Sequence, residues 1–402
     1  MKIRLDAATT ESAARVTIQC PAKVNLFLEV LGKRGDGFHE IETLMCPISL
    51  CDELTASLND CGKINLSVET PNSMRASTPV SNSTTDPSPN SETNACAAAS
   101  DSATSREMDQ RQTADPAWDI PDDSSNLAHR AAQAVQQELF GSLDEQSPKE
   151  CKPAVDCPGV DLVLKKSIPA SAGLAGGSSN AAAVVTACLL LWAKWNRPVA
   201  TQICQELGSD VAFFLGSSSQ VGMAMATGRG EIIAPLRCKP PLSFVLTHPP
   251  QGCSTPAIYA AMGPRESVRN SGNIRTACET SAPGQLKNIG AGLFNALQSP
   301  ASDRNPWIAR QLALLSSHGF DYNMMSGSGS ACFGLCVEPN AEQIADSPSS
   351  SLPGLPGFQE AAFRQAAGHL GIERVFGANA WYQASIEVQV GQQRNWNARL
   401  LQ

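Results

Sequence analysis

The chain lacks an excess of basic residues and any apolar run long enough to cross a bilayer. Its 402 residues include 30 Lys and Arg against 38 Asp and Glu, a net charge of −8, which argues against a nucleic-acid partner because such proteins present a basic face. The N-terminus has no signal-peptide apolar core, and the longest apolar run, around residues 181–193, is too short to span a membrane. We therefore expect a soluble cytoplasmic protein with no nucleic-acid or membrane partner.

Metal-ligand spacings are also missing. The 14 cysteines include no Cys-x-x-Cys pair, and the five histidines include no His-Glu-x-x-His pattern. Several cysteines, such as Cys188, Cys332 and Cys336, lie in apolar runs, which favours buried free thiols in a reducing compartment. The sequence predicts no structural metal.

The length predicts two domains, with a boundary at the Lys-Pro-Pro step of residues 239–241, and hence domains over residues 1–240 and 241–402. Two Ser- and Pro-rich segments interrupt them, at residues 71–123 and 339–358. The first has almost no aliphatic periodicity to offset its ordering entropy and is predicted to be a disordered insertion.

Hydrophobic periodicity predicts both helices and strands. The predicted strands cover residues 16–30, 49–68, 161–164, 220–226, 243–247 and 384–390. The predicted helices cover residues 126–139, 181–191, 199–207, 286–315 with a break near Pro300 and Pro306, and 361–370. The alternation has no regular βαβ rhythm, which favours an α+β fold.

The most informative segment covers residues 168–180, Ile-Pro-Ala-Ser-Ala-Gly-Leu-Ala-Gly-Gly-Ser-Ser-Asn. Its glycines allow close backbone approach to a ligand, and the Ser-Ser-Asn of residues 178–180 are good N-cap residues for the apolar helix that follows. A helix N-terminus after such a loop is an anion site, most often for phosphate. The segment has neither the lysine of a Walker A loop nor the Rossmann glycine spacing, and a plain turn before a core helix is the alternative.

Four further segments carry candidate functional groups. Lys23 and Asn25 share one side of a predicted strand, and residues 35–39 form a tight turn bearing an aromatic ring and an imidazole. Asp210 follows a Gly-Ser step, and residues 325–333 form a second small-residue loop. Three of them also have a purely structural interpretation: Lys23 as a solvated strand lysine, residues 35–39 as a plain hairpin tip, and Asp210 as a helix N-cap.

The order and spacing of these segments resemble the GHMP kinase superfamily, named for its galactokinase, homoserine, mevalonate and phosphomevalonate kinase members. The matching motifs are Pro-Ala-Lys-x-Asn-Leu-x-Leu, Asp-Gly-Phe-His, Gly-Leu-x-Gly-Gly-Ser-Ser-Asn-Ala-Ala, Leu-Gly-x-Asp-Val and Ser-Gly-Ser-Gly. They cover nearly the whole chain outside the two insertions. The resemblance implies the two-domain α+β GHMP kinase fold, with a ribosomal protein S5-like N-terminal domain and a ferredoxin-like C-terminal domain.

The resemblance also implies ATP with Mg²⁺ as the phosphoryl donor. It implies that Lys23 is the active-site lysine and that Asp210 accepts the proton of the attacking hydroxyl. The residues implied to wrap the ATP phosphates are Pro169, Ala170, Ser171, Ala172, Gly173, Leu174, Ala175, Gly176, Gly177, Ser178 and Ser179.

Within the superfamily, the motifs are most similar to members whose small-molecule substrate carries a cytidine diphosphate group. That likeness implies that His39 reads the cytosine edge, that Phe38 and Tyr259 stack on its two faces, and that Asn25 contacts the substrate. The alternatives are a homoserine- or mevalonate-type kinase, whose substrate has no base to stack, and a non-catalytic nucleotide-binding relative. We expect a monomer or a weak homodimer.

Three departures from the family pattern remove no chemical group. Ala175 replaces a common glycine, Ala212 replaces a common proline, and the loop opens Pro-Ala-Ser-Ala-Gly where relatives are richer in glycine. The extra methyl of Ala175 is expected to be tolerated if its φ is negative and to weaken nucleotide binding otherwise.

Overall fold

The structure is a computed structural model that describes residues 2–6, 14–71, 115–141, 158–215, 222–263, 268–337, 359–372, 374–379 and 388–390. The predicted loop at 339–358 and most of the predicted insertion at 71–123 lie outside the described residues. The strands are β1 (Lys2–Asp6), β2 (Arg15–Lys33), β3 (His39–Asn59), β4 (Ile64–Glu69), β5 (Gly159–Lys165), β6 (Ala224–Gly228), β7 (Ile232–Pro235), β8 (Ser243–His248), β9 (Phe294–Asn295), β10 (Asn323–Met325), β11 (Cys332–Cys336), β12 (Arg374–Asn379) and β13 (Val388–Val390).

The helices connect and cover these strands. They are α1 (Leu127–Phe140), α2 (Gly176–Leu191), α3 (Arg197–Leu207), α4 (Val211–Leu215), α5 (Thr255–Ala260), α6 (Gly272–Glu279), α7 (Gln285–Ala291), α8 (Gln298–Arg304), α9 (Pro306–Ser317) and α10 (Glu360–His369), with a 3-10 turn at Pro116–Trp118.

The first sheet is built on the long antiparallel pair of β2 and β3. The strand order is β13-β1-β2-β3-β5-β4, with β6 also paired to β3 and β9 to β2. Helix α2 is apolar on nearly every side because it is buried between this sheet and helices α1, α3 and α4. The start of α2 is therefore fixed at the edge of a packed core.

The second sheet has the order β10-β11-β8-β12, and all its neighbouring strands are antiparallel. Along the chain, β8 is followed by helices, then the β10–β11 hairpin, then α10 and β12. This is the ferredoxin-like βαββαβ order that the resemblance implies. The small-residue loop predicted at 325–333 is the turn of the β10–β11 hairpin.

Most predicted elements are confirmed within a few residues, and two predictions are wrong in detail. Helix α2 begins at Gly176 with Ala175 as its N-cap, so the Ser-Ser-Asn of residues 178–180 lie inside the helix and do not cap it. The predicted break near Pro306 is confirmed, because α8 ends at Arg304 and α9 begins at Pro306. Pro300, by contrast, lies in the first turn of α8, where its missing N–H is harmless, and the helical run is also interrupted at residues 292–297.

The end of the predicted disordered insertion is ordered, which corrects its boundary. Ala117 is buried, and its carbonyl accepts a hydrogen bond of 3.0 Å from the backbone N–H of Ala170. Asp115 forms an ion pair with Arg374 of β12. The domain boundary at residues 239–241 stays a prediction, since β9 and β13 come from later in the chain and pair with the first sheet.

Candidate active site

A buried lysine lies at the centre of the candidate site. The Lys23 side chain on β2 is 5% exposed, which rules out the solvated-lysine alternative. Its Nζ donates to Asn25 Oδ1 at 2.6 Å and to the carbonyl of Gly173 at 3.1 Å. Asn25 Nδ2 donates to Thr43 Oγ1 at 2.8 Å, and Thr43 in turn donates to the carbonyl of Phe27 at 2.7 Å. The chain of hydrogen bonds fixes the ammonium, and Thr43 is a member that sequence reasoning missed.

Asp210 faces this lysine from the turn before α4. Its Oδ2 lies 3.6 Å from Lys23 Nζ, and its side chain is 35% exposed. The ion pair is therefore buried on the lysine side and open on the carboxylate side. A substrate hydroxyl can reach the carboxylate without displacing the lysine.

The glycine loop packs directly on this ion pair. Gly173 has a φ of +74°, and a Cβ there would lie 2.2 Å from the carbonyl oxygen of Ser326. Its own carbonyl accepts hydrogen bonds from Lys23 Nζ and from Ser326 Oγ, both at 3.1 Å. The glycine is needed here for contact with the protein itself, in addition to any contact with a ligand.

The second small-residue loop closes the site from the other sheet. A Cβ on Gly327, whose φ is +57°, would lie 3.2 Å from Lys23 Nζ. Asn295 Nδ2 donates to the carbonyls of Met325 and Gly327, both at 2.8 Å. The two loops predicted separately from sequence therefore meet at Lys23.

The start of α2 combines strain with open space. Ala175 has a φ of +55°, not the negative φ at which its methyl group would be tolerated. A left-handed backbone disfavours a residue with a Cβ. A Cβ on Gly177 would meet nothing within 4 Å. Ser179 Oγ is buried without a hydrogen-bond partner among the described residues. Together with the first N–H groups of the helix, these features suit a phosphate ligand.

A second buried ion pair supports the base of the glycine loop. Lys166, just after β5, pairs with Asp52 of β3 and donates to Asn180 Oδ1 at 2.8 Å. Asp52 also accepts from Asn180 Nδ2 at 2.9 Å and from the backbone N–H groups of Ser167 and Ile168 at 2.7 and 2.8 Å. Sequence reasoning missed this network. The available signal was a charged residue at an inward position of an alternating segment, Asp52 within β3 and Lys166 just after β5.

A pair of aromatic rings lies near Asp210. The His39 and Tyr259 ring centroids are 4.9 Å apart with the planes tilted by 31°. Burial, and then the Asp210 carboxylate, raise the pKa of the Tyr259 hydroxyl, so it stays protonated at neutral pH. Phe38 lies at the hairpin tip, 52% exposed, with the Arg229 guanidinium 4.9 Å from its ring centroid. The structure thus brings His39 and Tyr259 together, with Phe38 more exposed.

Two protein-family models match this chain. The family model for the GHMP kinase N-terminal domain matches residues 126–218, and that for the GHMP kinase C-terminal domain matches residues 274–353. A relative from Synechocystis sp. is 32% identical over 82% of this chain and 89% of its own length. The chain belongs to the GHMP kinase family.

Two relatives share one name. The Synechocystis protein and one from Listeria welshimeri, which is 31% identical over 80% of this chain and 87% of its own length, are both named 4-diphosphocytidyl-2-C-methyl-D-erythritol kinase. A crystal structure of 4-(cytidine 5'-diphospho)-2C-methyl-D-erythritol kinase matches with a TM-score of 0.52 and 26% identity, covering 91% of this chain and 99% of that one. Homoserine kinase from Cytophaga hutchinsonii, at 14% identity and a TM-score of 0.55, shares the fold; the match covers 94% of this chain and 98% of that one.

GHMP kinases use ATP. Across the described residues, no helix is both long and apolar enough to cross a membrane.

Proposed function

We propose that this chain transfers the γ-phosphoryl group of ATP to the 2-hydroxyl of 4-diphosphocytidyl-2-C-methyl-D-erythritol, giving the 2-phosphate and ADP in non-mevalonate isoprenoid biosynthesis. The observation that carries the proposal is the Lys23–Asp210 pair, which lies against the glycine loop on one side and beside the His39–Tyr259 rings on the other. A phosphate-binding loop, a carboxylate and an aromatic pair are the three parts that this reaction requires.

ATP binds with its phosphates along residues 169–179. The helix N-terminus of α2 and the open face of Gly177 receive the negative charge. Mg²⁺ commonly binds through substrate phosphates and few protein groups, and the unpartnered Ser179 hydroxyl is a suitable oxygen for it. Bound there, Mg²⁺ would supply positive charge that offsets the charge of the ATP phosphates. Among the described residues no cluster of three His, Cys, Asp or Glu forms a separate metal cage.

Asp210 acts as the base. Its open carboxylate orients the acceptor hydroxyl and takes its proton as the oxygen bonds to the γ-phosphorus and the bond to the ADP oxygen breaks. Lys23, held by Asn25 and the Gly173 carbonyl, neutralises charge on the transferring group. Positioning and charge neutralisation are the main protein contributions to phosphoryl transfer.

The cytidine end lies on the aromatic side of the site. Tyr259 and Phe38 stack on the base and His39 hydrogen-bonds to its edge, while Asn25 contacts the acceptor beside Lys23. Tyr259 is close enough to Asp210 for the carboxylate to affect its pKa. The rings of Phe38, His39 and Tyr259, which we call the base platform, and the Asp210 carboxylate therefore lie within reach of a single small substrate. A monomer or weak homodimer in the cytoplasm is part of the same proposal.

The test is ADP release from Mg-ATP with purified protein and three acceptors in parallel. These are the cytidylyl methylerythritol, homoserine and mevalonate. Turnover with the cytidylyl acceptor alone is the expected result. Turnover with homoserine or mevalonate contradicts the assignment of the base platform, and ATP binding without turnover of any acceptor supports a non-catalytic relative instead.

A further inference from the structure

The tight turn between β6 and β7 holds an arginine in a fixed position. Gly228 and Gly230 have φ values of +74° and +110°, a conformation that suits glycine. The Glu231 carboxylate folds back on the turn, and its Oε2 accepts a 2.6 Å hydrogen bond from the backbone N–H of Arg229. The backbone from which the Arg229 side chain extends is thus fixed by both glycines and by Glu231.

The turn that carries Arg229 lies beside both Phe38 and Asp210. Its guanidinium carbon is 4.9 Å from the ring centroid of Phe38. On the other flank, a Cβ on the neighbouring Gly230 would be 3.9 Å from Asp210 Oδ1 and 3.5 Å from Ser209 Cβ. One short turn therefore borders the reacting carboxylate through Gly230 and carries a cation that lies against Phe38.

The charge of Arg229 is only partly neutralised within the described part of the chain. Arg229 Nε forms an ion pair with Glu231 Oε1 at 3.8 Å, a distance that is too long for a hydrogen bond. The positive charge of Arg229 also contributes to the lowered pKa of Asp36, although the hydrogen bond from the backbone N–H of Phe38 is the larger cause. The Arg229 side chain is 31% exposed. Guanidinium donors of this kind suit paired phosphate oxygens.

We propose that Arg229 binds the diphosphate that joins the cytidine to the acceptor alcohol. This inference rests on the proposed function. With the base on Phe38 and Tyr259 and the hydroxyl at Asp210, the diphosphate spans the interval between them, and Arg229 borders that interval. The residue is then a determinant of specificity for acceptors that carry an anionic linker.

The kinetic test compares Arg229→Gln with Arg275→Gln, a matched loss of one charge at an exposed arginine on α6 that pairs with Glu279. We expect Arg229→Gln to raise the KM for the cytidylyl acceptor at least tenfold while the KM for ATP stays within twofold. Arg275→Gln is expected to change neither constant, and Arg229→Lys to recover part of the loss. An acceptor KM unchanged in Arg229→Gln overturns the proposal.

A binding test separates contact with the diphosphate from support of Phe38. CDP and cytidine are titrated calorimetrically into the wild type and Arg229→Gln. We expect the variant to lose at least tenfold in affinity for CDP and less than twofold for cytidine. Equal losses for both ligands mean that Arg229 acts through the Phe38 ring, which overturns the proposal. If wild type binds neither ligand and does not phosphorylate the cytidylyl acceptor, the proposed function itself fails.

Discussion

The contact between the two small-residue loops gives a sharp prediction for Gly173. An alanine there places Cβ 2.2 Å from the Ser326 carbonyl oxygen in a backbone with φ of +74°. The left-handed conformation costs about 1–2 kcal/mol for a residue with a Cβ, and forcing the loops apart adds about 1–3 kcal/mol as overpacking does elsewhere. We expect Gly173→Ala to lose about 2–5 kcal/mol in free energy of unfolding. Separation of the loops also removes the carbonyl that holds Lys23, so turnover falls as well.

Gly177→Ala is the matched control in the same loop. Its Cβ meets nothing within 4 Å, and the residue lies in helix α2, so stability is expected to be equal or higher, by up to about 1 kcal/mol. Because that open face is where ATP phosphates bind, the KM for ATP is expected to rise. Urea unfolding followed by circular dichroism measures the stability of both variants. Equal midpoints for Gly173→Ala and wild type would refute the reasoning.

Three further predictions concern charged or titratable groups. Asp210→Asn and Lys23→Ala are each expected to lower kcat by about 10²–10⁴-fold while the protein still folds, and near-normal ADP release from either variant contradicts its role. Asp52→Ala strands the buried Lys166 ammonium and is expected to cost about 3–5 kcal/mol in urea unfolding; a loss below about 1 kcal/mol would show that the pair does not stabilise the loop base. Burial lowers the pKa of His248 from 6.5 to about 4, so only the unfolded state gains this proton as pH falls from 6.5 toward 4. The free energy of unfolding should therefore drop over that pH window by up to about 3 kcal/mol. His248→Gln should remove this part of the drop, and parallel curves of stability against pH for the two proteins would exclude a contribution from His248.

The sequence predicted the elements that have a strong local signal. The alternation of β2, the periodicity of α1 and the apolar run of α2 each reflect burial on one or more faces, and the structure confirms them. The start of α2 was less predictable. Tertiary packing of Gly173 and Gly176 sets Ala175 as the N-cap, although the Ser-Ser-Asn that follows has the better capping side chains.

The candidate site was predictable in its motifs and much less so in its contacts. Lys23, Asn25 and Asp210 carry recognisable spacing, and the structure brings them together. No local sequence pattern marks Thr43 or Asn295 as a site residue. Thr43 contacts Asn25, 18 residues away in sequence, and Asn295 contacts Met325, 30 residues away. The roles assigned to the individual site residues stay predictions until the variants are measured.

The central claim is phosphorylation of one particular hydroxyl, and proton-coupled ³¹P NMR of the purified product tests it directly. Carbon 2 of the acceptor carries a methyl group and no hydrogen, so a phosphate monoester on the 2-hydroxyl has no three-bond proton coupling. We expect a new monoester singlet that grows in step with ADP. A triplet or a doublet, from a phosphate on carbon 1 or carbon 3, or ADP release without a new monoester signal, would contradict it.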